Sequence, residues 1–147
     1  MTTIKNHSVP ADIILPHVTY QNLDQAIAWL NRVFSFEEHY RYGNPLSGAQ
    51  LRLGEAWVMV NAAKPGFTSP AQAGCATQSL TIFVQDVDGH HARAKAAGAK
   101  ILEAPHETIY GEYQWAAEDL EGHHWLFSRH ARDANPADWG ATVKNPV

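Results

Sequence analysis

The residues of this 147-residue chain that could do chemistry are few and scattered. Histidine leads them with nine copies, against a single cysteine. His17 opens the run Val18-Thr19-Tyr20, and His124 opens Trp125-Leu126-Phe127, both β-branched or aromatic enough to read as strands. An imidazole on a strand can ligate a metal, move a proton or bond a ligand. Tyr110-Gly111-Glu112 sets a carboxylate beside a flexible backbone position and a phenol. Glu112 can serve as a base or an acceptor if it points inward. Its other reading is a surface carboxylate paired with Arg or Lys. Cys75 lies in a Pro/Gly/Ser-rich stretch without a clear His partner, so no nucleophilic role is expected of it. His90-His91 read as helix-surface residues, and His123 as a turn residue that satisfies local backbone groups. No G-x-x-x-x-G-K-[ST] loop, no G-x-G-x-x-G after a strand and no G-x-S-x-G elbow occurs.

The elements that must position these groups follow from periodicity. A run beginning at Ile13 reads as a first strand, and Asn22 as a helix cap. Leu23, Ala26, Ile27, Leu30, Val33 and Phe34 then form one helical face. Residues 38–42, 49–53 and 57–61 read as a meander separated by Gly43-Asn44-Pro45 and Gly54-Glu55. Residues 62–77 read as a linker or loop. The pattern then returns. Residues 80–84 suit a strand, Asp86 a cap, and Val87, His90 or His91, Ala94 and Ala97 one face of a helix ending at Gly98. Residues 100–102, 113–117 and 124–128 complete the set. Asn22-Leu23-Asp24 and Asp86-Val87-Asp88 stand 64 residues apart, each between a strand and a helix. One supersecondary unit used twice explains that spacing.

Five segments carry a family resemblance. Gln85-Asp86-Val87-Asp88 with Ala92-Arg93-Ala94-Lys95-Ala96-Ala97-Gly98-Ala99 resembles the second-module entry of the vicinal-oxygen-chelate superfamily, which holds glyoxalases, bleomycin-resistance proteins and extradiol dioxygenases. Tyr110-Gly111-Glu112, followed by Asp119-Leu120-Glu121-Gly122-His123-His124-Trp125, resembles its closing hairpin, with Leu120 replacing the usual Pro. Asn22-Leu23-Asp24-Gln25-Ala26-Ile27-Ala28-Trp29-Leu30 resembles its first helix start. The resemblance covers roughly residues 13–130. It implies an α+β fold: two tandem βαβββ modules forming a curved mixed sheet around a cavity. Module one spans 12–62, a linker 63–77, module two 78–130 and a tail 131–147, in a single domain. Trp139 in that tail can anchor against a partner subunit or pack on its own domain.

Many relatives hold one divalent metal with His or Gln on the first strand and Glu on the last strand of each module. By the same alignment those positions fall at Leu15, Ser79, Leu126 and one of Met59, Val60 or Asn61. Such side chains do not suit a divalent ion, so neither metal nor other cofactor is expected. A shifted site using His17 and His124, with or without Glu112, is the alternative.

The expected inward positions are Leu15, His17, Thr19, Ser79, Thr81, Phe83, His124, Leu126 and Ser128, with Trp57 or Met59. Such a mixture of apolar walls and few polar groups suits a small-molecule pocket. The ligand-binding candidates are His17, Thr19, Trp57, Met59, Ser79, Phe83, Tyr110, Trp115 and His124; Trp57 and Trp115 can stack on a flat ligand, with ordinary core packing as the competing reading of each. Trp125 is expected under a helix instead. The leading expectation is a metal-free protein that sequesters a planar or hydrophobic ligand. A glyoxalase-type lyase or isomerase acting on a small carbonyl compound is the second, with His17 and Glu112 as catalytic candidates. A bare interaction domain with a filled core is the third. A net charge of −4 gives no reason to expect nucleic acid or an anionic membrane as partner. A lone cysteine and the absence of a signal-like start point to the cytoplasm. The expected assembly is a homodimer.

Overall fold

The structure, a computed structural model, describes residues 5–7 and 14–145. Ile13 lies outside them; Ile14, Leu15 and Pro16 precede the first strand. That strand, β1, is His17–Tyr20, followed by helix α1 (Leu23–Phe34) and strands β2 (Glu37–Tyr42), β3 (Gly48–Leu53) and β4 (Ala56–Ala62). After a connection holding the short helix α2 (Pro70–Ala73) come β5 (Ser79–Phe83), α3 (Val87–Ala96), β6 (Lys100–Glu107), β7 (Glu112–Glu118) and β8 (His124–His130). A 3-10 turn, Pro136–Trp139, lies in the tail. Each module builds its own four-stranded mixed sheet, in the orders β1-β4-β3-β2 and β5-β8-β7-β6. The first and last strands of each module pair in parallel, as β1 with β4 and β5 with β8. This is the α+β βαβββ repeat that the sequence implies.

Local chemistry sets the elements. Asn22 caps α1 by accepting from the Gln25 amide at 3.2 Å, and Asp86 caps α3 through Gly89 at 2.9 Å. Leu23, Ala26, Ile27, Leu30, Val33 and Phe34 of α1 are all buried, whereas α3 buries only Val87 and Ala94. Strand β6 runs to eight residues although it contains Pro105. It is an outer strand, where a missing N–H is tolerated, and its pairing with β7 is irregular.

A single core joins the modules. Val18, Tyr20, Leu51, Val58 and Val60 meet α1, and the far end of α1 reaches the second sheet. Phe34 sits 4.9 Å from Phe127 and 6.1 Å from both Trp115 and Trp125, ring centre to ring centre. Hydrogen bonds reinforce the seam. Asp119 accepts from the Tyr20 hydroxyl at 2.6 Å, the Trp125 indole at 2.9 Å and the Glu121 and His123 amides at 3.0 Å. Burial and the Asp119 carboxylate push the Tyr20 phenol well above its ordinary range. Glu121 accepts from the Gln21 and Asn22 amides at the entrance of α1.

Two histidines differ from expectation here. His90 is not a surface residue: it wedges between Phe34, Trp115 and Phe127, with Nε2 2.7 Å from the Phe34 carbonyl. The modules pack through their helices, which draws one face of α3 into the seam. Nor does His123 serve only its own turn, because its ring reaches the Thr19 carbonyl of the other module at 2.7 Å. No helix among the described residues is long and apolar enough to cross a membrane.

Candidate functional site

Both sheets give one face to the shared core, so the opposite faces turn outward. Strand alternation assigns the side chains. With Val58 and Val60 buried inward, Trp57, Met59 and Asn61 stand on the open face of the first sheet. The pairing register lays two rows across that face: His17–Met59–Gln50–Tyr40 and Thr19–Asn61–Gly48–Tyr42. It is rich in rings. Trp57 meets His39 edge-on at 5.2 Å, Tyr40 and Tyr42 lie 6.4 Å apart, and the Arg52 guanidinium sits 5.7 Å over Trp57. Gly48 has a specific reason to be glycine, since a Cβ there would meet the Tyr42 hydroxyl at 2.4 Å. The Tyr42 ring uses that gap to lie against the sheet. Two polar pairs complete the face. Asn61 Nδ2 donates to His17 Nδ1 at 3.0 Å, and Gln50 Oε1 accepts from His39 Nδ1 at 2.6 Å.

The open face of the second sheet is built differently. Its rows are Ser79–His124–Glu118–Lys100, Thr81–Leu126–Ala116–Glu103 and Phe83–Ser128–Gln114–His106. Small and polar side chains dominate, and the large exposed ring is Phe83, at 65%. Beyond these rows, Glu112 accepts from His130 Nδ1 at 2.9 Å, while Asp133 takes the other ring nitrogen at 2.8 Å. These two carboxylate bonds raise the His130 imidazole above its ordinary 6.5. Gly111 enforces the tight turn before Glu112: its φ is +96°, and a Cβ would strike the Arg132 carbonyl at 2.0 Å. Tyr110 leans over the face, with its hydroxyl 3.5 Å from Gln114 Oε1. The Trp139 ring rests 5.7 Å from Tyr110 of the same chain.

Of the sequence candidates, His17, Thr19, Trp57 and Met59 stand on the first open face, and Ser79, Phe83 and His124 on the second, overlooked by Tyr110. Trp115 is a correction. It is 0% exposed and stacks on Phe127 at 5.0 Å within the core. Its neighbours Gln114 and Ala116 alternate to the open face, so the ring must point inward. His17 and Glu112 are not brought together within one chain; they occupy different sheets and bond Asn61 and His130 respectively. The sequence reading missed His39, Tyr40, Tyr42 and Gln50. The available signal was Tyr40 and Tyr42 at i, i+2 in a strand without aliphatic residues. A register shift between Glu38 and Tyr40 puts His39 beside them, and that shift left no mark in the sequence.

The metal positions implied by the resemblance can be tested on register. Met59 pairs with His17 as Leu126 pairs with Thr81, so Met59 is the first-module counterpart of Leu126. The set is thus Leu15, Met59, Ser79 and Leu126: two aliphatic chains, a thioether and a hydroxyl. These do not fit a hard or borderline divalent ion. Among the described residues, no three His, Cys, Asp or Glu side chains gather as a ligand group, including the alternative set of His17, His124 and Glu112.

Two recesses adjoin the outer strands β1 and β5. One, of about 430 Å3, lies beside β1 and is lined by His17, Thr19, Phe67, Gln78 and His123. The other, of about 810 Å3, runs between the β3–β4 hairpin and the β5–α3 corner, with Leu53, Phe83, Val84, His90 and Arg93 in its walls.

Comparison with known proteins agrees with this architecture. The sequence profile of the Glyoxalase/Bleomycin resistance protein/Dioxygenase superfamily matches residues 13–127. The crystal structure of TioX from Micromonospora sp. ML1 is 33% identical, with a TM-score of 0.67 over 82% of this chain and 99% of that one. The bleomycin resistance determinant encoded on transposon Tn5 is 19% identical and shares the fold, with a TM-score of 0.65 over 82% and 98% of the two chains. An uncharacterized protein of Mycobacterium bovis is 28% identical over 128 residues, covering 82% of this chain and 84% of its own. The chain belongs to the glyoxalase/bleomycin resistance protein/dioxygenase superfamily.

Proposed function

We propose that this protein binds a planar, largely apolar small molecule and sequesters it without a metal and without chemistry. The observation that carries the reading is the first open face: His39, Tyr40, Tyr42 and Trp57 are held outside the core by strand alternation and by the gap at Gly48. Rings presented this way offer flat apolar area together with hydrogen-bonding edges. The donor set at Leu15, Met59, Ser79 and Leu126 supports a metal-free site.

The cavity is completed by a second copy. Within one chain both core faces are consumed by the shared core, so the two open faces cannot enclose one space. The outer strands β1 and β5 each pair on one side only, and such edges favour contact with another chain. A two-fold homodimer that sets the first sheet of one chain against the second sheet of the other satisfies both needs.

Sedimentation velocity combined with thermal-shift screening of planar aromatic antibiotics tests the reading. A dimer is expected, with melting raised by several degrees at ligand concentrations about a hundredfold above Kd. A chelator should leave that stabilisation unchanged. A monomer that responds to no member of the panel contradicts the proposal.

A further inference from the structure

Gln50 is buried on the wrong side for a core residue. Its strand neighbours Ala49 and Leu51 enter the core at 0% and 1% exposure, so Gln50, also at 0%, lies on the open face beneath its cross-strand neighbours Tyr40 and Met59. Its carbonyl is committed to His39 at 2.6 Å, which fixes the amide plane. The Nε2 group finds no acceptor among the described residues. Above it the Tyr40 hydroxyl crosses to Met59 and donates to the thioether sulfur at 3.9 Å. Sulfur is a weak acceptor, and a buried amide donor without a partner is costly. Two donors on cross-strand neighbours of an aromatic face are therefore under-satisfied, one poorly and one not at all.

We infer that Tyr40 and Gln50 form a two-donor subsite for an oxygen acceptor on a planar aromatic ligand, such as the carbonyl of an aryl ketone or quinone. This rests on the ligand-binding reading above and names its ligand class. The ligand oxygen takes the Tyr40 hydroxyl from the Met59 sulfur and receives the free Gln50 N–H. The ring lies along Trp57 and Tyr42. Met59, unbranched and polarizable, can move aside at small cost.

Fluorenone and fluorene share a planar skeleton and differ at one position, where the former carries a carbonyl. Their affinities for the purified full chain, read by quenching of tryptophan fluorescence, test the subsite. Fluorenone is expected to bind about tenfold more tightly than fluorene, the worth of the recovered hydrogen bonding. Gln50→Met and Tyr40→Phe should each lower the ratio about threefold, because each removes one of the two donors. A ratio near one in the wild type, or a ratio unchanged in both variants, overturns the subsite and leaves ligand binding intact. Binding of neither probe by the folded wild type overturns both readings. If Gln50→Met does not fold, Tyr40→Phe decides alone, with an unchanged ratio overturning the inference.

Discussion

The two modules share topology yet place the rings of their last strands on opposite sides of their sheets. In the last strand of the first module Trp57 stands on the open face, between core-facing Val58 and the solvent side. In the last strand of the second, Trp125 and Phe127 point inward while His124, Leu126 and Ser128 point out. A shift of one position along a strand exchanges the faces of every side chain. The difference divides the labour. The strands of module two bring Trp115, Trp125 and Phe127 into the core against Phe34 and Phe36, whereas β3 and β4 of module one turn Ala49, Leu51, Val58 and Val60 inward and leave Trp57 on the open face. The repeat preserved a scaffold and let its two surfaces diverge.

The largest test of this division is Trp125→Ala. Removing a fully buried ring and its hydrogen bond to Asp119 should cost about 3–5 kcal/mol in urea unfolding, with a lower midpoint and little change in slope. A loss near zero would show that module two does not carry the core. Asp119→Ala should follow at roughly 3 kcal/mol, because the buried Tyr20 hydroxyl and Trp125 indole each lose their acceptor across the seam. Tyr20→Phe removes one of these bonds and should cost only about 1 kcal/mol.

These tests also separate what the sequence disclosed from what it hid. The doubled cap-and-helix start at Asn22 and Asp86, and the period-two strands, are local patterns, and they led directly to the βαβββ repeat. Alternation likewise grouped His17 with Thr19, and Thr81 with Leu126 and Ser128, on one face of each sheet. That face was expected to line a cavity inward, and in the chain it turns outward because the shared core takes the opposite face. For Trp115, core packing stood beside ligand stacking as an expectation, and parity with Gln114 and Ala116 decides for the core. His90 misled because adjacent histidines on a polar helix look exposed until a second module packs on them. Gln50 and His39 were illegible for a different reason. Their pairing depends on a register shift in β2 and on Tyr40 reaching over β3 to Met59, both set by tertiary packing. No single-chain pattern records either.

Trp57→Ala sharpens the comparison from the other side. Half-buried and held by Arg52 and His39, the ring should cost only about 1 kcal/mol of stability on removal. Stabilisation by any planar ligand found in the thermal-shift screen should fall steeply in the same variant. The paired result, large stability loss for Trp125 and large binding loss for Trp57, is the signature of divided roles; equal behaviour of the two would erase it.

The smallest expected effect contrasts two histidines of module two, one on each side of its sheet. Burial among Phe34, Trp115 and Phe127 lowers the His90 imidazole below its ordinary 6.5. Its neutral form is the native one, so its contribution to stability is complete above 6.5 and is lost as pH falls from there through the lowered folded value. His130, raised by Glu112 and Asp133, has the opposite sign. It stabilises below 6.5 and loses that contribution as pH climbs through its raised folded value. Urea midpoints between pH 5 and 8 should therefore fall toward acid in the wild type, and His90→Phe should flatten that fall. His130→Gln should leave the acid fall and abolish any loss at the alkaline end. Identical slopes in both variants would mean that neither side of this sheet distinguishes its imidazole.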